Sequence, residues 1–273
     1  MDHRRQGLLK GLLAAVTFGL SAPLVSTLIS AGSPLALAGL LYGGSALALL
    51  TARAVRGQST QESSVKRQDL GMLALLTLLG GIAAPICLVS GLALLSAGSA
   101  SLLLNLEAVF TMGIAVLIGR EHLSGKGTAA AALIIAGALV IGSGTASGTT
   151  LHGAAFIALA CLGWGIDNNI SQRLSIRDPM QIALLKSVGA SVPMLLLAGL
   201  TGARFPTPME VVVLLAIGGI GYGLSIWLDL LALRELGAAR ESVIFATAPF
   251  VGAGFAVLAL KERAKRGAEL AGR

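Results

Sequence analysis

Residues 70–92 read LGMLALLTLLGGIAAPICLVSGL, a segment of 23 residues without a single charge. An α-helix of this length is about 35 Å long, and the hydrocarbon core of a bilayer is about 30 Å thick. A segment surrounded by lipid can satisfy its backbone hydrogen bonds only internally, as a helix does. Residues 70–92 therefore predict a transmembrane helix, and the class of the protein depends on how often such segments recur.

Segments of the same character recur along the whole chain. Each is apolar, about 20 residues long and bounded by charged or turn-forming residues. We predict nine spans, at approximately Gly7–Ser30, Pro34–Thr51, Leu70–Leu92, Gly98–Gly119, Thr128–Ser143, Gly153–Leu174, Pro179–Leu200, Val211–Leu233 and Ala238–Leu260. The expected fold class is an all-α polytopic membrane protein.

The composition argues against a water-soluble globular protein. Of the 273 residues, 55% are hydrophobic and only 12% are charged, which is about half the charged fraction usual in soluble domains. The 36 glycines suit close helix packing in lipid. The net charge of +7 would suggest nucleic acid in a soluble protein, but the basic residues lie mostly in short loops, so we predict no nucleic-acid partner. Cys87 and Cys161 match no metal or redox spacing, and we predict neither a metal nor a cofactor.

The loop charges predict the orientation. If the N-terminus is cytoplasmic, the cytoplasmic loops hold 13 basic residues, whereas the opposite loops hold only Arg204 before the last span ends. Positive charge is retained on the cytoplasmic side of membrane proteins. We therefore expect a multi-pass protein of a bacterial-type inner membrane, with its N-terminus in the cytoplasm.

An internal repeat is visible. Residues 18–21 (FGLS) recur as residues 164–167 (WGID), 146 positions later, and residues 33–34 (SP) recur as residues 178–179 (DP), 145 positions later. Further landmarks follow in the same order at slightly smaller offsets. We predict a first repeat over residues 1–146, with five spans, and a second over residues 147–273. Because five is odd, the second repeat begins on the opposite side of the membrane and is inverted, as in many secondary transporters.

The fourth span and its surroundings resemble the EamA family of the drug/metabolite transporter superfamily. The resemblance is strongest across Gly98–Ala138, with a small-residue turn at residues 97–100 (AGSA), a helix end at residues 118–123 (IGREHL), Gly127 and the run Ile134–Gly137. Residues 237–262 follow the same plan. It implies ten helices, both termini cytoplasmic, and transport of small metabolites. The tail Lys261–Arg273 is polar and too short for the tenth helix, so we expect five plus four spans.

Two charged residues inside spans are the first candidates for solute contacts, because charges in the membrane are costly. Glu107 lies near the middle of the fourth span, where it could bind a proton or an amino group, or pair between helices. Lys186 lies about a third of the way into the seventh span, where it could bind an anion, pair with Glu107 or Asp167, or extend to the interface.

A polar face on the sixth span is the second candidate. Trp164, Asp167, Asn168 and Ser171 follow helical spacing and so share one face, which could form half of a solute pocket or a polar contact between helices. The repeat pairs this face with the first span. Thr17 and Ser21 there are candidates for the opposite wall.

Charged residues also gather where the eighth span meets the ninth. The group consists of Asp229, Arg234, Glu235, Arg240 and Glu241. We predict either a cytoplasmic cluster of ion pairs or a gate that opens during transport, the gate being formed by Asp229, Arg234, Arg240 and Glu241.

These patterns predict a secondary transporter, and more specifically an exporter, for small metabolites or drug-like solutes. It would work by alternating access, with proton coupling through Glu107 as a hypothesis. No nucleotide-binding loop is present in the sequence. The alternatives are a degenerate or truncated membrane scaffold without transport and, more remotely, an intramembrane enzyme. We predict no enzymatic activity, because His3, His122 and His152 all fall outside the predicted spans.

Overall fold

The computed structural model describes residues 3–56, 62–120 and 148–259, with isolated positions between 125 and 136. The elements of this part of the chain are all helical. They are α1 (His3–Ser26), α2 (Pro34–Arg56), α3 (Arg67–Leu92), α4 (Ala97–Leu103), α5 (Leu106–Leu117), α6 (Gly148–Leu174), α7 (Pro179–Leu200), α8 (Pro208–Leu236), α9 (Ala238–Phe245) and α10 (Ala248–Leu258).

The predicted class, an all-α membrane protein, is confirmed. In the described residues, six helical segments are long and apolar enough to cross a bilayer, with α9 and α10 together forming one of them. Most of the predicted fifth span, Thr128–Ser143, and the whole tail Lys261–Arg273 lie outside the described residues. The number of spans and the inversion of the second repeat stay predictions.

Several helices begin where the sequence supplies a start signal. Pro34, Pro179 and Pro208 each occupy the first helical position, where a missing N–H costs nothing. The Asp178 side chain also accepts a hydrogen bond from the Met180 amide at 2.9 Å, which caps α7. These signals explain why the observed starts of α2 and α7 match the predicted ones.

The fourth and ninth predicted spans are each divided into two helices. The first division, at residues 104–105, coincides with Asn105, whose side chain donates to the Leu102 carbonyl at 3.0 Å and so competes with the helix. The second, at residues 246–247, precedes Pro249, which has no N–H for the ladder. Continuous helices were expected at both places, and local hydrogen-bond competition explains the difference.

Two π-helical segments add to this pattern. One, Thr77–Ala83, lies in α3, and the other, Gly219–Leu224, lies in α8. The π-helical segments begin 142 positions apart, and the two divisions described above are also 142 positions apart. The π-helical segments and the helix divisions thus recur at the same offset, which agrees with a duplicated chain. Each π-helical segment also widens its helix locally.

Glycines bring helices from the two ends of the chain into close contact. A Cβ on Gly44 of α2 would lie 2.0 Å from the Leu215 carbonyl oxygen of α8, and a Cβ on Gly218 would lie 2.0 Å from the Leu41 carbonyl oxygen. A larger residue at either position would push the backbones apart. The outer faces are apolar, as on α7, which exposes Val188, Val192 and other large aliphatic residues.

Candidate functional site

A cavity lies within the helical bundle. Helices from both ends of the chain form its wall, including α1 and α2 as well as α5 to α9. Its lining residues are Phe18, Tyr42, Glu107, Trp164, Asp167, Asn168, Ser171, Lys186, Tyr222, Ser225, Ile226, Asp229, Leu230 and Phe245. The lining thus combines aromatic rings with three carboxyl groups and one amino group.

A buried ion pair occupies one wall. The Lys186 ammonium on α7 donates to Oδ2 of Asp167 on α6, and the Ser171 hydroxyl donates to Oδ1 of the same carboxylate at 3.2 Å. The two charged side chains are only 5% and 3% exposed. Because a buried charge is stable only when it is paired and hydrogen-bonded, each member of the pair is needed to hold the other.

The π-helical segment of α3 makes room for this pair. A Cβ on Gly80 would lie 2.2 Å from Oδ2 of Asp167, so only glycine allows the carboxylate to approach the backbone there. The Gly80 carbonyl also accepts two hydrogen bonds at 2.9 Å, from Nε1 of Trp164 and from the hydroxyl of Tyr42. One short stretch of α3 therefore positions both the ion pair and two aromatic walls.

Glu107 is held in place by α6. Nδ2 of Asn168 donates to Oε1 of Glu107 at 3.0 Å and to the Thr111 hydroxyl at 3.2 Å. Neighbouring Asn169 donates to the Thr111 carbonyl at 3.0 Å. Because Asn168 is a neutral partner, the Glu107 carboxyl receives a hydrogen bond without a compensating charge from this contact.

Aromatic rings surround the polar groups. The Phe18 ring lies 5.4 Å from Trp164, 5.8 Å from Tyr222 and 5.4 Å from Phe245, and the Tyr42 and Tyr222 rings are 5.3 Å apart. Only 4% of the chain is aromatic, so five contacting aromatic rings at one cavity are a strong local enrichment. Such walls bind flat apolar groups and, through their faces, cations.

A second, smaller cavity adjoins the first between α1, α5 and α10. Glu107 and Asn168 line both cavities, and Gly19 and Pro249 line the second one. Glu107 therefore stands at the wall common to both spaces, next to the division between α4 and α5.

The structure brings five of the seven predicted solute contacts together. These are Glu107, Lys186, Trp164, Asp167 and Asn168, and all of them line the central cavity. Whether they bind a solute stays a prediction.

The other two predicted contacts, Thr17 and Ser21, do not line either cavity described here. The Thr17 hydroxyl donates to the Leu13 carbonyl at 2.9 Å, and the Ser21 hydroxyl donates to the Phe18 carbonyl at 2.6 Å. Both hydroxyls bond their own helix, and Phe18 is the α1 residue that reaches the cavity.

Sequence reasoning missed the part of the wall formed by Tyr42, Tyr222 and Phe245. The rarity of aromatic residues inside the predicted spans was the available signal. Their convergence depends on three helices that are far apart in the sequence, so composition alone did not point to it.

The four residues predicted as a gate do not form one cluster of ion pairs. Arg234 pairs with Glu62, and its guanidinium also donates to the carbonyls of Ser175 and Arg177. Arg240 is exposed at the protein surface. The carboxyls of Asp229 and Glu241 lie within hydrogen-bonding reach of each other instead.

Four ion pairs occupy the end of the bundle that carries the N-terminus of α1. Each joins a residue before position 147 to a residue after it, so together they tie the two halves of the chain. The nitrogen–oxygen distances are 2.5 Å for Lys10–Glu235, 3.6 Å for Arg53–Asp178, 2.8 Å for Arg177–Asp69 and 3.0 Å for Arg234–Glu62.

Comparison with known proteins agrees with this architecture. An uncharacterized transporter of Methanothermobacter thermautotrophicus is 29% identical over 277 aligned residues, which cover 95% of this chain and 81% of that protein. A protein of known crystal structure superposes with a TM-score of 0.74 over 93% of this chain and 87% of its own, at 17% identity, and so shares the fold.

The family comparison covers nearly the whole chain. The EamA-like transporter family matches twice, over residues 5–143 and over residues 151–268. Two consecutive matches correspond to the two-repeat fold of this family, and the apolar helices make the chain a multi-pass membrane protein. The chain therefore belongs to the EamA-like transporter family of the drug/metabolite transporter superfamily.

Proposed function

We propose that the protein is a secondary transporter that binds small solutes carrying an amino or other cationic group in the central cavity. The observation that carries this proposal is the charge of the cavity wall. Lys186 is already paired with Asp167, which leaves the carboxyls of Glu107 and Asp229 without a cation among the described contacts. A cation entering this space gains two carboxylates and an aromatic surface.

The solute would lie between Glu107 and the five contacting aromatic rings of the cavity. The Asn168 contact orients the Glu107 carboxyl, and the Phe18 and Trp164 rings, which meet edge to face, supply apolar wall to the same cavity. A small number of polar groups among apolar walls is the usual composition of a solute pocket. This arrangement fits amine-bearing metabolites and drug-like cations better than it fits anionic solutes.

Alternating access would proceed by relative movement of the two repeats. The four ion pairs that join the halves support this idea, because they close one end and must separate for that end to open. With the N-terminus in the cytoplasm, as the loop charges predict, this is the cytoplasmic end, and the proposed direction is export. The matched irregularities in α3 and α8 support a duplicated chain, and an odd number of spans in the first repeat would invert the second.

Proton coupling through Glu107 is part of the proposal. A proton and a cationic solute would compete for one carboxyl, so that inward movement of a proton could drive outward movement of the solute. In liposomes, Glu107→Gln should lose pH-gradient-driven flux. Glu210→Gln is the matched control, because Glu210 caps α8 and its carboxyl does not line the cavity. Full flux in Glu107→Gln would refute this coupling.

The transport proposal itself is tested with purified protein in liposomes. We expect saturable uptake of amine-bearing solutes that related amines inhibit, and little inhibition by carboxylic acids. A complete lack of saturable flux across a broad panel would instead favour a scaffold without transport. The family and the name of the archaeal relative support transport over catalysis.

A further inference from the structure

The meeting point of α8 and α9 holds a pair of carboxyl groups, of which Asp229 lines the central cavity and Glu241 does not. Glu241 lies in the first turn of α9 and is 0% exposed, and Asp229 lies on α8 within hydrogen-bonding reach of it. No hydrogen-bond donor in the described part of the chain reaches Oδ1 of Asp229 or either carboxyl oxygen of Glu241. Three buried oxygens therefore stand without a partner at one place.

The neighbouring helices supply no free cation to this pair. On α1, Lys10 is bound to Glu235, and on α7, Lys186 is bound to Asp167. Helix α5 contributes Glu107 and α6 contributes Asp167, both of which are acidic.

The basic residues of α8 and α9 also point elsewhere. Arg234 is bound to Glu62, and Arg240 is exposed. The part of α2 beside α8 presents the Tyr42 and Ser45 hydroxyls, which hydrogen-bond to Gly80 and Ser187. Every described charge near the pair is thus either acidic or already neutralised.

The adjacent carboxyls of Glu241, which is fully buried, and Asp229, which is half-buried with its Oδ1 unpartnered, cannot both be ionised at low cost, because like charges repel strongly in a medium of low polarity. A single proton between them would satisfy one carboxyl oxygen as acceptor and supply the missing donor. Among the described residues, no group of three or more His, Cys, Asp or Glu side chains is placed to hold a metal ion.

We propose that Asp229 and Glu241 form a proton-binding site that takes up and releases one proton during the transport cycle. This inference rests on the proposed function and extends it. Asp229 lines the central cavity, whereas Glu241 does not and instead faces α1, where its Oε1 lies 3.9 Å from the position of a Cβ on Gly11. The pair therefore connects the solute space with the helix that carries the Lys10–Glu235 ion pair.

Because Asp229 lines the solute cavity, solute binding there would change whether the Asp229–Glu241 pair holds its proton. A cationic group that enters the cavity beside Asp229 favours the ionised carboxylate and releases the proton, and departure of the solute lets the proton return. At this site, one proton would be released for each cationic solute that enters the cavity and taken up again for each one that leaves.

The first test detects the proton directly, without any solute. We would record infrared spectra of the full chain in lipid, titrated with acid and base, and follow the carbonyl stretch of protonated carboxyl groups. We expect a band that is lost in Glu241→Gln and equally lost in Asp229→Asn. Glu210→Gln, which removes an exposed carboxyl at the start of α8, should keep it. Spectra of both pair variants that match Glu210→Gln would overturn the proposal.

The second test separates this site from the transport proposal. In liposomes without a pH gradient, Glu241→Gln should exchange labelled for unlabelled solute as the unmodified protein does, because Glu241 does not line the cavity. With a pH gradient, the same variant should lose accumulation. If Glu241→Gln accumulated as much solute as the unmodified protein, the proton site would be refuted. If the unmodified protein showed no exchange, the transport proposal would be refuted, and the infrared spectra would still test the proton site on their own.

Discussion

The Lys186–Asp167 ion pair gives the sharpest prediction from the structure. Lys186→Met keeps much of the length and apolar stem of the side chain but removes the ammonium, so the Asp167 carboxylate stays buried with only the Ser171 hydroxyl as donor. Removing one partner of a buried pair costs about 3–5 kcal/mol, and the Ser171 hydrogen bond, which is present with or without the ammonium, offsets none of that cost. With both side chains at 5% exposure or less, we expect a loss of about 3–5 kcal/mol in the free energy of unfolding.

A double-mutant cycle isolates the contribution of the pair. Asp167→Asn alone leaves an unpaired ammonium and should cost a similar amount, whereas the double variant buries no charge and should be more stable than the sum of the single changes predicts. The expected coupling energy is about 1–3 kcal/mol. The unfolding free energy would be measured in mixed micelles by denaturant titration, with tryptophan fluorescence as the signal.

The control is Lys66→Met, which removes an ammonium from an exposed position before α3 and should change stability by less than about 0.5 kcal/mol. Additive single effects, or a Lys186→Met variant as stable as the Lys66→Met control, would show that the pair does not hold the cavity wall in the way argued above.

The remaining predictions concern helix packing and the closed end. Gly44→Ala should destabilise the protein by about 1–3 kcal/mol, because its Cβ would meet a backbone oxygen of α8 at 2.0 Å, whereas Gly199→Ala has nothing within 4 Å and should be neutral or slightly stabilising. Thermal unfolding in detergent compares the two variants, and equal melting temperatures would contradict the packing argument. Arg234→Ala should speed amide hydrogen exchange in the connection between α6 and α7, because the guanidinium holds two of its carbonyls. Arg173→Ala, a loss of the same charge at an exposed site nearby, should leave that exchange unchanged, and similar rates in both variants would count against a closed end held by ion pairs.

Much of the candidate site could be predicted from the sequence because charges inside apolar spans are few. Glu107, Lys186 and Asp167 were conspicuous for that reason, and all three line the central cavity. The helical period also placed Trp164 and Asn168 on the same face as Asp167, which the lining of the cavity reproduces. Position within a span and position on a face are local properties, so sequence alone is sufficient for them.

The choice of partner was not predictable in this way. Three partners were open for Lys186, and the structure pairs it with Asp167. Arg234 was expected among the charges of α8 and α9, but it reaches Glu62 in the connection between α2 and α3. Both outcomes depend on how far each helix is rotated about its own axis, which the packing of several distant helices sets together.

The sequence by itself determined the class of this protein, because the free energy of placing a segment in lipid is a sum over that segment's own residues. It also determined the family, because a duplicated plan leaves landmarks in order along the chain. Only the tertiary structure decided which buried charges neutralise one another, that the aromatic rings converge on one cavity, and that Asp229 and Glu241 share a site without a cation. Those facts depend on distances between helices that are remote in sequence. Close packing at glycines such as Gly44 and Gly80 sets these distances, because a side chain there would collide with the Leu215 backbone or with the Asp167 carboxylate. The sequence does not show which atoms lie opposite each glycine.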